Sequence, residues 1–335
     1  MRYQKLGNSD LEVSVIGLGC ATLSGLYGDY DAKEASRVFD AAYEHGINFF
    51  DTSEIYGMQG LVQGLGHNER MIADAIRDRR DGIVIATKFG HIFDEATGEY
   101  AIDARPERVE PSCDACLERL GIDVIDLFYL HRVDANTPIE DTVGAMGRLV
   151  EKGKVRHIGL SEANPDTLRR GHATHPLTAL QSEYAIWCRD MEADILPLCA
   201  ELGIGFVAYA PLGRGILSGG VTGSNDIKDA DWRRDIPRFK GENLTHNLAL
   251  VEDLKAVAAE VSCTLAQLAL AWILAQPHGV VPIPGSDRAR YVNENAAAAD
   301  IILTPGDLAR IDAALPPDAV AGARKTAAQA ERTGI

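Results

Sequence analysis

Short apolar runs alternate along this chain with longer segments in which apolar positions recur at helical spacing. The runs predict eight buried strands, at residues 11–18, 47–51, 83–88, 125–131, 155–161, 178–184, 205–211 and 279–284. The periodic segments predict helices at residues 32–45, 68–77, 106–120, 138–151, 165–170, 192–202, 264–276 and 288–299. Asp31 is placed to cap the first helix and Gly46 to end it.

Strands that alternate with helices predict a parallel sheet, and eight of them predict a closed (β/α)8 TIM barrel. No change in composition marks a boundary, so we expect one domain over residues 1–335, with a hairpin around residues 7–10 before the first strand. The alternative is an open, doubly wound sheet, which typically has a GxGxxG turn after its first strand. The segment 17–22 lacks the third glycine of that turn, which favours the barrel.

Two segments do not fit the regular alternation. After the seventh strand, residues 213–247 are rich in Gly, Asp and Arg and show no helical periodicity until Leu248. A long irregular loop at this end of a barrel predicts a lid, a binding loop or a docking surface. The tail from Pro316 is rich in Pro and then in Ala. Two interpretations stay open for it, a flexible cover over the barrel and a disordered end.

Composition narrows the class of protein. The chain has 335 residues, of which 46% are hydrophobic and 24% charged, values typical of a soluble globular protein. Its formal net charge of −16 argues against a general nucleic-acid binder or a protein of anionic membrane surfaces. The first residues contain no apolar core of signal-peptide length, and no later segment is long enough to span a bilayer. We therefore expect a cytoplasmic protein.

Cysteine and histidine spacing gives little support for a metal or redox site. The six cysteines are too few for a disulfide framework in a chain of this length. Cys113 and Cys116 form a CxxC motif, but they lie in a helical pattern without a second pair to complete a zinc site. His172 and His175 have ligand-like spacing in a polar connection, which favours a solvated loop. No metal is expected.

Ionisable side chains mark the ends of three successive predicted strands. Asp51 ends the second strand, Lys88 the third and His131 the fourth, while Tyr56 follows Asp51 on the next loop. The carboxyl ends of barrel strands meet at one face, where active sites are built. Each residue alone has an ordinary structural explanation, but their coincidence at this face predicts a catalytic site.

This combination suits proton donation to a carbonyl oxygen. An unperturbed tyrosine has a pKa near about 10, and a neighbouring ammonium group favours its phenolate form. We therefore predict that Tyr56 is the general acid, that Lys88 lowers its pKa, and that Asp51 orients Lys88. His131 is predicted to donate a hydrogen bond that positions the substrate carbonyl.

Several motifs together resemble the aldo-keto reductase superfamily. They are Asp51-Thr52-Ser53-Glu54-Ile55-Tyr56-Gly57, Thr87-Lys88-Phe89-Gly90, Leu130-His131-Arg132, Gly159-Leu160-Ser161-Glu162, Gln181-Ser182-Glu183-Tyr184 and the segment 209–215. The similarity runs in the right order from the first strand to about Ala299. The segments 211–215 and 284–286 are similar to the branch of fungal and plant pyridoxal or ketone reductases. Potassium-channel β subunits are more distant relatives.

The resemblance implies NADPH bound in an extended form across the barrel mouth, without a Rossmann domain. By motif, Tyr209 would stack on the nicotinamide, and Ser161 and Gln181 would hold its carboxamide. The pyrophosphate would lie against Leu212, Gly213, Gly215 and Ser218. The residues implied at the 2′-phosphate are Ser286, Arg288 and Arg290, and those at the adenine are Glu294 and Asn295. Paired arginines suit a dianion, although a solvated helix start is the alternative for them.

Glu162 departs from the family pattern, because many relatives carry Asn at this position. The contact that Glu162 makes is therefore not implied by the resemblance. Three aromatic residues lie near the predicted site: Tyr27, Phe89 and Trp187. Each could line the substrate cavity or pack in the core, and the sequence does not decide between the two.

Three functions are compatible with these residues. The first is an NADPH-dependent reductase of a small aldehyde or ketone, with Tyr56 as general acid. The second is a slow redox-sensing NADPH-binding subunit that acts on a regulatory partner. The third is a Schiff-base aldolase on Lys88, with the arginines serving a sugar phosphate. Neither the natural substrate nor the oligomeric state is marked in the sequence.

Overall fold

A computed structural model describes residues 1–27, 30–58, 64–94, 99–229 and 231–330. Its strands, in chain order, are β1 (Tyr3–Lys5), β2 (Glu12–Ser14), β3 (Leu18–Gly19), β4 (Phe49–Asp51), β5 (Val84–Phe89), β6 (His91–Asp94), β7 (Glu99–Ile102), β8 (Ile125–Leu130), β9 (Val155–Ser161), β10 (Ala179–Glu183), β11 (Gly205–Tyr209) and β12 (Val281–Ile283). Eight of them form one parallel sheet in the order β12-β11-β10-β9-β8-β5-β4-β3. The helix-flanked parallel barrel predicted from the sequence is confirmed.

The barrel closes through a narrow seam between β3 and β12. A single bridge joins Gly19 to Gly285, and the N–H of Gly19 donates to the Pro284 carbonyl at 3.1 Å. A Cβ on Gly19 would lie 2.6 Å from the Ile283 carbonyl oxygen, and one on Gly285 would lie 2.7 Å from Thr22. The seam therefore requires glycine on both sides, because a side chain on either would force the edges apart.

The predicted hairpin is present, but the predicted first strand is divided. β1 pairs with β2 in antiparallel fashion, whereas only Leu18 and Gly19 belong to the barrel. Burial marks the division, since Glu12 is the one exposed residue of the run 11–18 and lies in β2, on the hairpin. The apolar run 11–18 thus serves two different sheets.

Helices cover the outside of the barrel. They are α1 (Ala32–Glu44), α2 (His67–Ile76), α3 (Pro106–Leu120), α4 (Ile139–Glu151), α5 (Pro165–Thr174), α6 (Ile195–Leu202), α7 (Gly241–Val261), α8 (Leu265–Leu274), α9 (Ala289–Ala297), α10 (Pro305–Ala314) and α11 (Ala327–Ala330). The predicted cap of α1 is confirmed, because Asp31 Oδ1 accepts from Lys33 N at 3.0 Å and from Glu34 N at 3.2 Å. α8 is buried on most of its surface, as its apolar sequence predicts.

The long connection after β11 is a series of tight turns rather than an open loop, and three of the four are regular 3₁₀ turns. These turns are Gly213–Ser218, Ser224–Asp226, Trp232–Asp235 and Pro237–Phe239. α7 then begins at Gly241, earlier than the predicted start at Leu248. Its first turns are polar because Asn243 and Asn247 donate hydrogen bonds to the Pro237 and Arg238 carbonyls, so helical apolar periodicity is absent there.

The weaker sequence motifs remain structural. Cys113 and Cys116 are buried and free within α3, and the described residues contain no cluster of His, Cys, Asp or Glu that could hold a metal. The solvated loop predicted around His172 is wrong, because His172 lies in the last turn of α5 and accepts from Leu177 N at 3.1 Å. In the described ranges no single helix is long and apolar enough to cross a membrane, although α7 and α8, bent by 81°, pass by length and composition as a pair.

Candidate active site

Lys88 is the centre of the predicted site and is fully buried. Its Nζ donates to Asp51 Oδ1 at 2.5 Å, to the Thr52 carbonyl at 2.7 Å and to the Tyr56 hydroxyl at 3.3 Å. Each of the three N–H groups of the ammonium thus has its own oxygen acceptor, which fixes the ammonium group in one position. The structure brings Asp51, Lys88 and Tyr56 together because β4 and β5 are parallel neighbours whose carboxyl ends meet.

The protonation of this cluster differs in one respect from the sequence prediction. Burial alone would lower the pKa of Lys88, but Asp51 and Tyr56 outweigh it and the net pKa is raised. Burial also raises the pKa of Tyr56, and the opposing effect of Lys88 does not cancel it. The net pKa of Tyr56 therefore rises rather than falls. The phenol holds its proton at neutral pH, as a general acid must before it reacts.

His131 lies beside Tyr56, with the two rings edge to face and their centroids 5.9 Å apart. Burial, followed by the charges of His91 and Arg132, holds the pKa of His131 well below its ordinary value. The imidazole is therefore neutral, and only one of its nitrogens carries a proton.

Ser53 determines which nitrogen of His131 is protonated. The buried Ser53 hydroxyl lies 3.0 Å from His131 Nδ1 and 3.3 Å from the Lys88 carbonyl oxygen. The hydroxyl has a single proton. When it donates to Nδ1, the imidazole proton is on Nε2, and when it donates to the Lys88 carbonyl, its oxygen accepts from a proton on Nδ1. The first arrangement is the one in which Nε2 donates to a substrate oxygen, the role predicted for His131. Sequence reasoning did not identify Ser53, because its role depends on a contact with another strand.

Replacing Ser53 with Ala is expected to lower kcat about tenfold, because the loss of one hydrogen bond of about 1.5 kcal/mol lets the two tautomers mix. Nitrogen NMR shifts of His131 should move from those of a single tautomer to those of a mixture. The control is Ser182→Ala, since the buried Ser182 hydroxyl has no hydrogen-bond partner in the described structure. A Ser53→Ala protein with an unchanged His131 spectrum would contradict the assignment.

The residues implied for the nicotinamide lie next to this cluster. Gln181 Nε2 donates to Asp51 Oδ2 at 2.7 Å, so Gln181 supports the ion pair as well as facing the mouth. Ser161 Oγ accepts from Arg132 Nη1 at 3.1 Å. Tyr209, at the end of β11, is partly buried. Ser161 and Tyr209 thus end β9 and β11, while Gln181 lies in the middle of the strand between them, β10, and pairs with Ser161.

The residues implied for the phosphates form the turn directly after β11. The turn follows Leu212 and has positive φ angles at Gly213 (58°), Arg214 (57°) and Gly215 (101°). Ser218 Oγ donates to the Gly215 carbonyl at 3.1 Å. Such a backbone, without side chains at two glycines, allows close approach of a phosphate.

The far end of the implied cofactor site follows β12. Buried Ser286 accepts a hydrogen bond from Asn295 Nδ2 at 3.1 Å. Arg288 is 44% exposed and 3.8 Å from Asp31, and the exposed Arg290 contacts the Tyr291 hydroxyl. The backbone carbonyl of Glu294 accepts from Gln267.

A polar atom at the seam between β3 and β12 also supports a cofactor site at this end of the barrel. The Thr22 hydroxyl is buried at the seam without a hydrogen-bond partner in the described chain. An orphaned donor, two exposed guanidinium groups and a glycine-rich turn together fit a phosphorylated dinucleotide.

The structure shows the packing partners of the three aromatic residues for which the sequence left two interpretations. Phe89 is core, stacked on Phe128 with centroids 4.9 Å apart. Trp187 is buried against Phe239 beneath the long connection, so packing and not the substrate explains it. Tyr27 stacks on Trp232 of that connection at 6.0 Å.

A buried acidic group supports the catalytic loop from below. Glu54 Oε1 accepts from Gly90 N at 3.1 Å, which ties the loop after β4 to the exit of β5. Arg119 lies 3.9 Å from Glu54 and 2.5 Å from Glu69. Burial and the charge of Glu69 raise the pKa of Glu54 to about 7, against the opposite effect of Arg119. Sequence reasoning missed this group because Glu54 looked like one more polar loop residue.

The Glu54→Gln variant is expected to gain stability relative to the wild type as pH rises from 5 to 8. The folded state binds the Glu54 proton more tightly than the unfolded chain, so the unfolding free energy falls as pH rises from 4.5 to about 7. The difference amounts to at most about 3 kcal/mol. Urea unfolding of both proteins at the two pH values measures it, and an equal difference at both would contradict a raised pKa.

The fold and this cluster define an oxidoreductase barrel, and comparison with known proteins agrees. The aldo/keto reductase family model matches residues 15–316. The chain therefore belongs to the aldo/keto reductase family, whose members act on carbonyl and alcohol groups and use nicotinamide cofactors.

Particular relatives support this assignment over nearly the whole chain. A protein of Glycine max described as probable aldo-keto reductase 1 is 44% identical over 322 residues, covering 96% of this chain and 90% of its own. The structure of glycerol dehydrogenase AKR11B4 from Gluconobacter oxydans aligns with a TM-score of 0.85 at 26% identity, covering 93% and 94%. The holo form of aldo-keto reductase AKR11C1 from Bacillus halodurans aligns with a TM-score of 0.76 at 28% identity, covering 98% and 99%.

Proposed function

We propose that this protein is an NADPH-dependent reductase of aldehydes or ketones in which Tyr56 is the general acid. The observation that carries the proposal is the placement of the Tyr56 hydroxyl 3.3 Å from the buried ammonium group of Lys88, which Asp51 holds at 2.5 Å. The family assignment supports carbonyl chemistry, and the cluster supplies a proton source for it.

Each residue of the cluster has a separate task. NADPH, when bound, supplies the hydride for the carbonyl carbon. The Tyr56 hydroxyl gives its proton to the carbonyl oxygen, and the Lys88 ammonium group stabilises the phenolate that remains. Asp51 keeps Lys88 charged and in place. Neutral His131 donates from Nε2 to the same oxygen and orients it.

The cofactor would be held along the exits of β9 to β12. Ser161 and Gln181 would hold the carboxamide, Tyr209 would stack on the ring, and the turn after β11 would bind the pyrophosphate. Arg288 and Arg290 support NADPH over NADH, because both are exposed cations that follow β12, a common position for phosphate sites in barrels.

The aldolase hypothesis loses its support. A Schiff base requires a neutral, accessible amine, whereas Lys88 is fully buried, donates three hydrogen bonds and has a raised pKa. The sensor hypothesis gains no support from the described residues.

The first experiment is the oxidation of NADPH and of NADH with a small activated aldehyde, followed by absorbance. Turnover with NADPH supports the proposal, and failure to bind either cofactor overturns it. The double variant Arg288→Ala/Arg290→Ala is expected to raise the KM for NADPH at least about tenfold, since each charge-assisted contact contributes about 1.5 kcal/mol or more. The KM for NADH should not change. Arg77→Ala, at an exposed cation after α2 that pairs with Asp74, is the control.

A further inference from the structure

The C-terminal tail, predicted as a cover or a disordered end, is docked on the barrel over its described part. Ala321 N donates to Asn247 Oδ1 at 2.8 Å, and Asn247 Nδ2 donates back to the Ala321 carbonyl at 3.0 Å. Arg238 Nε donates to the Gly322 carbonyl at 3.1 Å. These bonds to α7 and the turn before it direct residues 324 and 325 towards the barrel mouth.

Two cations of the tail enter the mouth and meet buried carboxylates. Lys325 Nζ is bonded to Glu162 Oε2, and Arg324 lies 3.2 Å from the same oxygen. Arg324 also lies 3.7 Å from Glu183 and 3.4 Å from Asp190. The Glu162 and Glu183 side chains are 0% and 1% exposed. The tail thus supplies the two cations that pair with Glu162, whereas Glu183 is also paired with Arg214 at 2.8 Å.

Glu162 joins the exits of two barrel strands. Its backbone N–H donates to the Gln181 carbonyl at 3.0 Å, and its Oε1 accepts from Glu183 N at 3.0 Å. Its φ angle is 56°, in the left-handed region that is strained for residues other than glycine. Such a conformation costs about 1–3 kcal/mol and persists only where the surroundings impose it. Here the surroundings are the two tail cations and the β10 backbone.

We propose that Arg324 and Lys325 are positioning residues for the cofactor. They hold Glu162 so that the exits of β9 and β10 present Ser161 and Gln181 to the nicotinamide carboxamide. This inference rests on the proposed function. It also gives Glu162 a task at the position where many relatives carry Asn: Glu162 binds the tail and stands behind the carboxamide site.

The physical reason is the cost of a buried carboxylate that loses one of its two tail cations. Removal of one partner of a buried ion pair is strongly destabilising locally, because the remaining charge keeps its desolvation penalty. Without the Lys325 ammonium group, Glu162 keeps Arg324, which lies 3.2 Å from Oε2 and 3.3 Å from Oε1, and is expected to leave its strained conformation to regain hydrogen bonds from water. Its two bonds to the β10 exit then break, and Ser161 and Gln181 lose their fixed spacing. The rest of the barrel does not depend on these bonds.

Cofactor affinity measures this directly, by quenching of protein fluorescence on titration with NADPH. Lys325→Met is expected to raise the Kd at least about tenfold, while Lys325→Arg stays within about threefold of the wild type. The control is Lys255→Met, which removes an exposed ion pair of 2.5 Å to Glu252. The double variant Glu162→Gln/Lys325→Met should bind no more weakly than Lys325→Met, because the two residues act as one unit.

Equal affinity in the wild type and Lys325→Met would overturn the proposal and leave the reductase function intact. Weakened binding in Lys325→Arg as large as in Lys325→Met would also overturn it. A wild-type protein that binds neither cofactor would overturn the proposed function itself.

Tail docking has a readout that needs no cofactor. Trypsin cleaves after Arg324 and Lys325 only when the tail leaves the mouth, so Glu162→Gln should be cut there several times faster than the wild type. Glu252→Gln, which breaks the exposed pair of α7, should be cut at the wild-type rate. Wild-type and Glu162→Gln proteins cut at the same rate would show that Glu162 does not hold the tail, and would overturn the proposal.

Discussion

The Tyr56→Phe variant is expected to lose between about 10²- and 10⁴-fold in kcat for aldehyde reduction, the range that general acid catalysis contributes. The phenylalanine ring fills the same space, so the Lys88–Asp51 pair at 2.5 Å should stay intact. The Kd for NADPH is therefore expected to change by less than about twofold, since the hydroxyl donates to the substrate and not to the cofactor.

Measurement of kcat and Kd together separates chemistry from binding in this variant. Tyr3→Phe is the matched control, because Tyr3 loses a hydroxyl that bonds to the Gly46 carbonyl at 2.8 Å, far from the mouth. If Tyr56→Phe kept more than about a tenth of the wild-type kcat, another group would be the acid.

The Lys88→Met variant should lose as much activity as Tyr56→Phe, and it should also be less stable to unfolding than the wild type. Without the ammonium group the charge of Arg132 is left to oppose the rise of the Tyr56 pKa on burial. Asp51 becomes a buried carboxylate whose remaining side-chain partner among the described residues is Gln181. Breaking a buried pair in this way costs about 3–5 kcal/mol of unfolding free energy. Urea unfolding and steady-state kinetics on the same preparation measure the two effects.

A double variant distinguishes the two roles of Lys88. Asp51→Asn/Lys88→Met removes both charges, so most of the stability should return while activity stays absent. Recovery of activity along with stability would show that Lys88 acts only as a structural partner of Asp51.

The fold was predictable where burial and periodicity agree. α3 and β9 have the predicted bounds. The buried positions of α3 recur at helical spacing, and β9 is a short run whose last four residues are all buried. The prediction of one strand over residues 11–18 was wrong, because the first part of this apolar run belongs to the hairpin and the last part to the barrel. The start of α7 was missed for the opposite reason, because polar Asn243 and Asn247 point into contacts with other segments.

The site was predictable to the extent that strand ends reveal it. Asp51 ends β4, Lys88 is the last residue but one of β5, and His131 follows β8. A barrel brings such strand ends to one face. The direction in which the Tyr56 pKa shifts was not predictable, because it depends on how far the folded protein buries the hydroxyl away from water. Ser53, Glu54 and the pair Arg324 and Lys325 were not predictable either. Their partners are distant in sequence, with Lys325 and Glu162 separated by 163 positions.

The glycine seam of the barrel has a consequence for the dynamics of the mouth. β3 has two residues and pairs with β4 at two positions. It meets the β12 side through one bridge and two backbone hydrogen bonds, from Gly17 N to the Pro282 carbonyl and from Gly19 N to the Pro284 carbonyl, so few hydrogen bonds must break to open the barrel there. Amide hydrogens at Leu18 and Gly19 should exchange with deuterium sooner than those of β8 and β9. Local opening of lowest free energy is thus expected beside Ser286, where the 2′-phosphate would sit. A bound dinucleotide that spans this gap would slow the exchange, which makes the seam a natural reporter of cofactor entry and release.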